Sequence, residues 1–241
     1  MIVTSGLTKH FGRRVVLHHI DASMGEGRVT ALVGPNGAGK TTFLKLLLGL
    51  ARPDAGSIAF DGQLLNGSPA YRAAIGYMPQ IARFPAHLTG RELLATLMAL
   101  RPAPTTPDLA LATAFGIDEE FSRPLGTLSG GTRQKINAVL AFAFAPACLI
   151  LDEPTAGLDP LASRILKDRV LAERADGRTV IITSHVLPEL EELADDVLFL
   201  ADGIAQWQGP VRDLLARTGQ HSLERAIARL LGGGMAMLAV A

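Results

Sequence analysis

The segment from Gly34 to Thr41 constrains this chain most, because it reads Gly-Pro-Asn-Gly-Ala-Gly-Lys-Thr. It matches the phosphate-loop pattern G-x-x-x-x-G-K-[ST] at every position and stands between an apolar strand predicted at 28–33 and a helix predicted at 40–50. Such a loop turns backbone N–H groups and a helix N-terminus toward phosphate oxygens, while its lysine and hydroxyl serve the terminal phosphates and Mg²⁺. The predicted nucleotide-binding residues are Gly34, Pro35, Asn36, Gly37, Ala38, Gly39, Lys40, Thr41 and Thr42.

Composition narrows the class of protein further. The 241 residues carry 23 Lys+Arg and 23 Asp+Glu, and this formal neutrality disfavours a nucleic-acid surface or a polybasic membrane arm. The single cysteine, Cys148, excludes an intramolecular disulfide and a zinc site built on several cysteines. The longest apolar run, 136–151, is shorter than the roughly 20 residues of a membrane helix, and Pro146 divides it into a helix and a strand. We therefore expect a folded domain with no membrane span of its own.

The order of elements indicates an α/β chain with a helical segment inserted in it. Short strands are predicted first, at 1–7, 14–21 and 57–61, and a hairpin is predicted around Asp202 and Gly203. Further strands are predicted at 75–78, 148–151, 179–183 and 196–201, and helices at 89–100, 108–115, 130–145, 161–174, 188–194, 211–218 and 223–231. Pro102, Pro104 and Pro107 predict a loop, and the apolar tail 235–241 predicts a docked or frayed terminus rather than an anchor.

Two acids follow the apolar strand at 148–151. Asp152 and Glu153 stand where open α/β sheets place ligand chemistry, at the carboxyl end of a strand. Alone, such a pair is more often a helix cap or a solvated turn. In a chain with a phosphate loop, Asp152 is predicted to orient Mg²⁺ and Glu153 to polarise an attacking water.

Leu128-Ser129-Gly130-Gly131-Thr132 opens the helix predicted at 130–145. A serine hydroxyl and glycine N–H groups at a helix N-terminus form an anion site, although a lone Ser-Gly-Gly is usually only an N-cap. With this segment the chain resembles the ATP-binding subunit of ABC (ATP-binding cassette) transporters over residues 1–205. Six ordered motifs carry the resemblance: the phosphate loop, Gln80, 128–132, 148–153, Ala156-Gly157-Leu158-Asp159-Pro160, and His185 after Thr183-Ser184.

The resemblance implies a fold class and its division. The fold is α/β, a P-loop NTPase of the ABC ATPase type, with an N-terminal antiparallel β subdomain and an inserted helical subdomain. Residues 1–241 are expected to form one ABC ATPase domain with a core of 1–80 and 146–205, a helical subdomain of 81–145 and a C-terminal appendage of 206–241, to which no role is assigned.

The resemblance also implies a set of catalytic and metal-binding residues for ATP hydrolysis. Glu153 activates water, Lys40 holds the phosphates, and His185 contacts the γ-phosphate. As a bare residue, His185 would instead be a structural neighbour of a helix N-cap. Mg²⁺ is expected on Thr41, Gln80 and Asp152, and Gln80 also contacts the water and couples the site to the membrane partner.

Other nucleotide contacts implied by the resemblance lie elsewhere in the chain. Phe11 stacks on adenine, with a core side chain as the alternative. Ser129, Gly130 and Gly131 contact phosphate, and Asp159 holds the dimer interface near the opposite site. Thr132 departs from the family, in which Gln is commonest at this place, and this puts only fine specificity in doubt.

The implied partners are a second copy and a membrane permease. One site takes the phosphate loop of one protomer and residues 129–131 of the other, so we expect an ATP-dependent head-to-tail homodimer with ATP and Mg²⁺. The permease is expected to dock near Ile81–Thr89, which contains Phe84 and Pro85; the alternative is an ordinary loop over a helix pair. The implied location is cytoplasmic, at the inner face of the cell membrane through the permease, with no nucleic acid bound.

Cargo is less constrained. Residues 130–144 and 181–193 resemble the ATPase of the copper-processing system that matures nitrous-oxide reductase, an exporter-like ATPase. The alternative is the ATPase of another exporter, for a drug, a lipid or a polysaccharide. A non-transport ABC protein acting on DNA or ribosomes is disfavoured, because only 47 residues separate Gln80 from Leu128, too few for a long coiled-coil insertion. Neutral charge and a single cassette disfavour it further.

Overall fold

A computed structural model of the chain describes residues 1–65, 67–101 and 106–237, with the side chains of 233–237 left out of the description. The predicted proline loop therefore lies partly outside the described residues, at Pro102 and Pro104, as do residues 238–241 of the apolar tail. In the described part, two β-sheets are flanked by helices, and the chain alternates between strand and helix after the N-terminal sheet.

The first sheet is antiparallel and has the strand order β2-β1-β4-β5. Its strands are β1 (Ile2–Phe11), β2 (Arg14–Met24), β4 (Ala55–Phe60) and β5 (Gln63–Leu64). The structure corrects the predicted ends here, since β1 continues to Phe11, which pairs with Arg14 across a tight turn. Strand β5 was not predicted, because two residues are too few to show a period of alternation.

The second sheet is central and has the order β10-β9-β3-β8-β7-β6. Its strands are β3 (Val29–Val33), β6 (Ile75–Met78), β7 (Cys148–Asp152), β8 (Thr179–Thr183), β9 (Asp196–Ala201) and β10 (Ile204–Pro210). The first five are parallel, and β10 is an antiparallel edge strand. Because the strands are parallel, the carboxyl ends of β3, β7 and β8 share one edge, and the functional segments follow them there.

The helices agree with the predicted ones in order but not always in extent. They are α1 (Lys40–Leu47), α2 (Gly90–Ala99), α3 (Ala110–Ala114), α4 (Gly130–Phe142), α5 (Pro160–Ala175), α6 (Leu187–Leu193), α7 (Val211–Thr218) and α8 (Leu223–Met237). Helix α4 ends at Phe142 rather than at 145, before Ala145 takes a left-handed φ of 43°. The predicted boundary between 205 and 206 falls inside β10, so the appendage begins in a strand of the central sheet.

Each face of the central sheet has its own core. Strand β3 is buried along its whole length, as expected for a parallel strand covered on both faces. Its residues Val29, Ala31 and Val33 pack with α4 and α5, whereas Leu32 packs with α1 and the antiparallel sheet. This double packing fixes the strand from which the phosphate loop leaves.

Within the described residues, none of the helices has the length and apolarity needed to cross a bilayer.

Candidate functional site

The phosphate loop runs from the end of β3 to the start of α1, and its path requires glycine at two positions. Gly39 is the N-cap of α1 with a left-handed φ of 103°, and a Cβ there would lie 2.6 Å from Cδ2 of Leu17. A Cβ on Gly34 would lie 2.1 Å from the Leu200 carbonyl oxygen. A side chain at Gly34 would therefore displace the backbone of β9, and one at Gly39 would displace the Leu17 side chain and strain a left-handed backbone.

Lys40 reaches back over this loop from the first turn of α1. Its ammonium group donates hydrogen bonds to the carbonyls of Gly34 and Pro35. Burial lowers the pKa of Lys40, while the carboxylates of Glu153 and Asp152 act in the opposite direction. The Lys40 ammonium group is therefore partly removed from water and is stabilised by the charges of both carboxylates.

The acid pair lies at the junction of β7 and β8. Asp152, the last residue of β7, accepts a 2.6 Å hydrogen bond at Oδ1 from the hydroxyl of Thr183. The Glu153 N–H donates to both the carbonyl and the hydroxyl oxygen of Thr183, at 3.1 and 3.0 Å. Glu153 takes a left-handed φ of 50°, which is uncommon for a residue other than glycine. The turn thus directs two neighbouring carboxylates differently.

His185 completes this edge of the sheet. It follows β8, and its Nε2 lies 2.8 Å from Oε1 of Glu153. Two residues beyond Glu153, the hydroxyl of Thr155 donates a 2.8 Å hydrogen bond to Glu189 on α6, the helix that follows His185. The segments carrying Glu153 and His185 are therefore joined twice.

A single cavity of about 510 Å³ unites most of the predicted residues. Its wall combines the phosphate loop, the acid pair, the glutamine and the histidine, and its lining residues are Arg14, Val16, Pro35, Asn36, Gly37, Ala38, Gly39, Lys40, Thr41, Thr42, Gln80, Asp152, Glu153 and His185. The volume is in the range of small-molecule sites.

Six predicted residues do not line this cavity: Gly34, which begins the phosphate loop, and Phe11, Ser129, Gly130, Gly131 and Asp159. Phe11 is 55% exposed at the end of β1, so it is not a core side chain, and Lys9 Nζ lies 5.5 Å from its ring centroid. Ser129 is the N-cap of α4, where its hydroxyl accepts a 3.1 Å hydrogen bond from the Thr132 N–H.

Asp159 belongs to this second group and caps α5. It accepts a 2.8 Å hydrogen bond from the Ala162 N–H and pairs with Lys135 Nζ at 3.0 Å. The hydrogen bond from the Ala162 N–H lowers the pKa of the Asp159 carboxyl most, and the contact with Lys135 lowers it further. Since Lys135 lies on α4, the loop ending at Asp159 and the N-terminus of α4 lie side by side on one surface.

Sequence reasoning missed three residues at the site. Arg14 and Val16 of β2 line the cavity, and Thr183 bonds both acids. The positions of Arg14 and Val16 come from the antiparallel sheet packing beside the phosphate loop. For Thr183 the sequence contained only a weak signal, namely a threonine at the end of a buried strand that neighbours the acid-bearing strand.

Helix α4 carries buried polar side chains toward the cavity loops. The amide of Asn137 donates a 2.9 Å hydrogen bond to the carbonyl of Pro79, which precedes Gln80. The Gln134 amide contacts the carbonyl of Pro154, which follows Glu153, at 3.4 Å. Both side chains are buried, so these bonds form away from solvent.

A sequence profile described as "ABC transporter" matches residues 17–156, more than half of the chain. The chain belongs to the ABC transporter family. This ABC ATPase domain is 32% identical to the lantibiotic transport ATP-binding protein SrtF of Streptococcus pyogenes, over 84% of this chain and 88% of that protein. It is 31% identical to the Nod factor export ATP-binding protein I of Ralstonia nicotianae, over 89% and 68%.

A solved structure agrees with this ABC assignment. The ATP-binding subunit of an ABC transporter superposes with a TM-score of 0.88 at 30% identity, covering 96% of this chain and 99% of the other. The predicted fold class is confirmed: a P-loop ABC ATPase with an antiparallel β subdomain and a helical insertion. The prediction of an ATPase is confirmed as well.

Proposed function

We propose that this ABC cassette is the ATP-hydrolysing subunit of an exporter-type transporter and drives a separate membrane permease. The observation that carries the proposal is the single cavity, which joins a phosphate loop to a carboxylate and a histidine in contact. The names of the two relatives, one for lantibiotic transport and one for Nod factor export, support the exporter class.

Lys40 and the N–H groups at the start of α1 would bind the β- and γ-phosphates of ATP. The adenine ring is assigned to Phe11, whose exposed ring at the end of β1 is accessible for stacking. Val16, on the neighbouring strand and in the cavity wall, supplies apolar surface beside it.

The donor set of the cavity fits Mg²⁺. The hydroxyl of Thr41, the amide oxygen of Gln80 and the carboxylate of Asp152 are hard oxygen donors in one cavity wall, and Mg²⁺ prefers such donors. When bound, the ion would neutralise negative charge that develops on the phosphate oxygens. Thr41, Gln80 and Asp152 are the residues proposed to hold it.

Glu153 is the proposed general base. A water oxygen forms a bond to the γ-phosphorus, the bond from that phosphorus to the bridging oxygen of ADP breaks, and the proton of the water passes to the Glu153 carboxylate. His185 Nε2 lies 2.8 Å from that carboxylate. His185 is also proposed to contact the γ-phosphate. Lys40 stabilises the charge of the transition state.

The residues absent from the cavity wall support a composite site. Ser129 and Gly130 are exposed, and Asp159 lies on the same surface through its pair with Lys135. In a head-to-tail dimer, residues 129–131 of one protomer face the phosphate loop of the other, and Asp159 lies at the interface. The proposed assembly is therefore a homodimer with two nucleotides between its protomers.

The permease is proposed to dock near Ile81–Thr89, which follows Gln80. Ile81 is 66% exposed, and Phe84 packs partly against the core beneath the segment. The proposed docking surface would lie next to a cavity residue, so movement of Gln80 and movement of the permease would be coupled. The cassette would lie at the cytoplasmic face of the cell membrane through this contact.

The proposal about the transported cargo has a broad form and a narrow form. The broad form is that the transporter is an exporter, in agreement with the relatives named above. The narrower copper-processing prediction rests on residues 130–144 and 181–193 alone, and neither relative's name supports it.

The test is binding to membranes that contain a co-expressed permease encoded beside this chain. Wild-type chain should sediment with these membranes and show permease-dependent stimulation of ATPase activity, whereas Ile81→Asp should lose both effects and keep its basal activity. Ile204→Asp is the matched control, since Ile204 is 45% exposed in a distant hairpin. Equal behaviour of the two variants would contradict the docking surface.

A further inference from the structure

Thr183 is a buried threonine that the proposed chemistry does not use. It is the last residue of β8, is 2% exposed, and stands opposite Asp152 in the parallel register of β7 and β8. Its hydroxyl contacts both members of the acid pair, at 2.6 Å from Asp152 Oδ1 and 3.0 Å from the Glu153 nitrogen.

Hydroxyl chemistry fixes the direction of both bonds. A hydroxyl has one proton to donate and lone pairs that accept. A carboxylate only accepts and a backbone N–H only donates, so the Thr183 proton goes to Asp152 and a lone pair receives the Glu153 N–H. The bond to Oδ1 therefore fixes the rotation of the Asp152 carboxylate, and Asp152 also lines the cavity.

The same hydroxyl supports an unusual backbone. Glu153 has a φ of 50°, in the left-handed region, and such conformations persist when surrounding contacts hold them. Its N–H is held by the hydroxyl and the carbonyl of Thr183 together. This turn determines where the Glu153 carboxylate points.

We propose that Thr183 is a positioning residue for ATP hydrolysis. Its hydroxyl orients the Asp152 carboxylate for binding Mg²⁺ and holds the backbone turn that directs the Glu153 carboxylate to the attacking water. The inference rests on the roles of Asp152 and Glu153 in the proposed function. Valine has the same shape as threonine and the same preference for a strand, so Thr183→Val removes the hydroxyl with little change in packing.

Strand β8 supplies a matched control. Thr179 begins the strand, is 1% exposed, and its hydroxyl has no hydrogen-bond partner among the described residues. Thr179→Val therefore makes the same chemical change in the same strand without removing a contact. Thr183→Ser keeps the hydroxyl and removes only a methyl group.

Steady-state kinetics provide the first readout. We expect Thr183→Val to lower kcat by roughly tenfold to a hundredfold, as for loss of a hydrogen bond to a charged group, while KM for Mg-ATP rises only severalfold, in proportion to the weaker metal binding. Thr183→Ser should stay within about threefold of wild type, and Thr179→Val within about twofold. If Thr183→Val does not fold, Thr183→Ala carries the same comparison.

Metal binding provides a second readout that does not depend on turnover. Mn²⁺ binding to the complex with ATP, in a Glu153→Gln background and measured by electron paramagnetic resonance, should weaken severalfold in Thr183→Val and stay unchanged in Thr179→Val. Affinity for ATP without metal should be the same in both. Unchanged kcat and Mn²⁺ affinity in Thr183→Val, or an equal loss in Thr179→Val, would overturn the proposal.

The role proposed for Thr183 and the role proposed for Glu153 can be disproved separately. Wild-type rates in Thr183→Val beside an inactive Glu153→Gln would remove the role of Thr183 and leave the proposed base in place. Wild-type rates in Glu153→Gln would remove the proposed base itself.

Discussion

His185 Nε2 lies 2.8 Å from Glu153 Oε1, although the two residues follow different strands. An imidazole N–H donates to a carboxylate in this geometry, so one oxygen of Glu153 is fixed in position. The parallel pairing of β7 and β8 sets this distance, because both residues leave the sheet at the same edge. The proposed base and the proposed γ-phosphate contact therefore act as one unit.

Glu153→Gln should abolish hydrolysis while ATP binding remains. The amide has nearly the same shape as the carboxylate but cannot take a proton from water, so kcat should fall by about a hundredfold or more. The proposed ATP-bound dimer should accumulate, as measured by gel filtration with ATP. Glu192→Gln, on the exposed side of α6, is the control and should keep its activity. Turnover at the wild-type rate in Glu153→Gln would exclude this base.

His185→Ala should lower kcat by about a hundredfold, the usual loss for one group that stabilises transition-state charge. Because His185 and Glu153 act together, the double variant should be no slower than Glu153→Gln alone. Turnover assays on the four proteins test this. His221→Ala, an exposed histidine before α8, should have no effect. Additive losses would show that the two residues act independently.

Ser129→Asp should separate ATP binding from dimer formation. Aspartate preserves the N-cap of α4 but places a negative charge where the partner's phosphate would lie. Since Ser129 does not line the chain's own cavity, affinity of the monomer for a fluorescent ATP analogue should be unchanged. Light scattering in a Glu153→Gln background should show monomers.

Lys40→Ala is the contrasting variant, because it should lose ATP binding and dimer formation together. A stable dimer of Ser129→Asp with ATP would contradict the composite site.

The structure makes plain why some parts of the site could be predicted from sequence. The phosphate loop and the acid pair consist of consecutive residues, so their chemistry can be recognised from the sequence itself. The contact of Thr183 with Asp152 depends on the register of two strands, and Lys135 meets Asp159 only because α4 packs beside the start of α5. No local pattern contains such distances.

Because of Cys148, the free energy of unfolding should decrease as the pH rises in the alkaline range. Burial raises the pKa of its thiol from 9.0 to about 12. Above pH 9.0 the unfolded chain loses this proton and the folded chain keeps it, so stability falls with rising pH toward about 12, by about 1.4 kcal/mol per unit. Urea unfolding at about pH 8 and about pH 10 should show a steeper decrease in wild type than in Cys148→Ala. Identical slopes would mean that the thiol is not protected.

Thr89→Ala should destabilise the helical subdomain without changing the nucleotide site. Thr89 and Glu92 form a reciprocal cap at the start of α2, with hydrogen bonds of 3.2 and 2.8 Å. Loss of the cap should cost about 1 kcal/mol in chemical unfolding. ATP affinity should be retained, since α2 does not line the cavity. Thr96→Ala, on the same helix but not at its cap, should cost less.

The fold was predicted where periodicity was long and missed where it was short. Strand β3 follows from an apolar run, and helix α5 follows from apolar residues at helical spacing after Pro160. Strand β5 has two residues, and the end of α4 depends on the left-handed turn at Ala145. Such ends are set by tertiary packing rather than by local preference.

Helix α4 has a consequence for the proposed dimer. Asn137 bonds the carbonyl of Pro79, and Gln134 bonds the carbonyl of Pro154. These prolines adjoin Gln80 and Glu153, which line the chain's own cavity. The first turn of α4, beginning after Ser129, would face the nucleotide of the other chain. In the proposed dimer, this helix of 13 residues would connect the loop that carries Gln80 to a phosphate contact in the opposite site, so displacement of that loop would shift that contact. The two ATP sites of the proposed dimer would then be coupled through this helix.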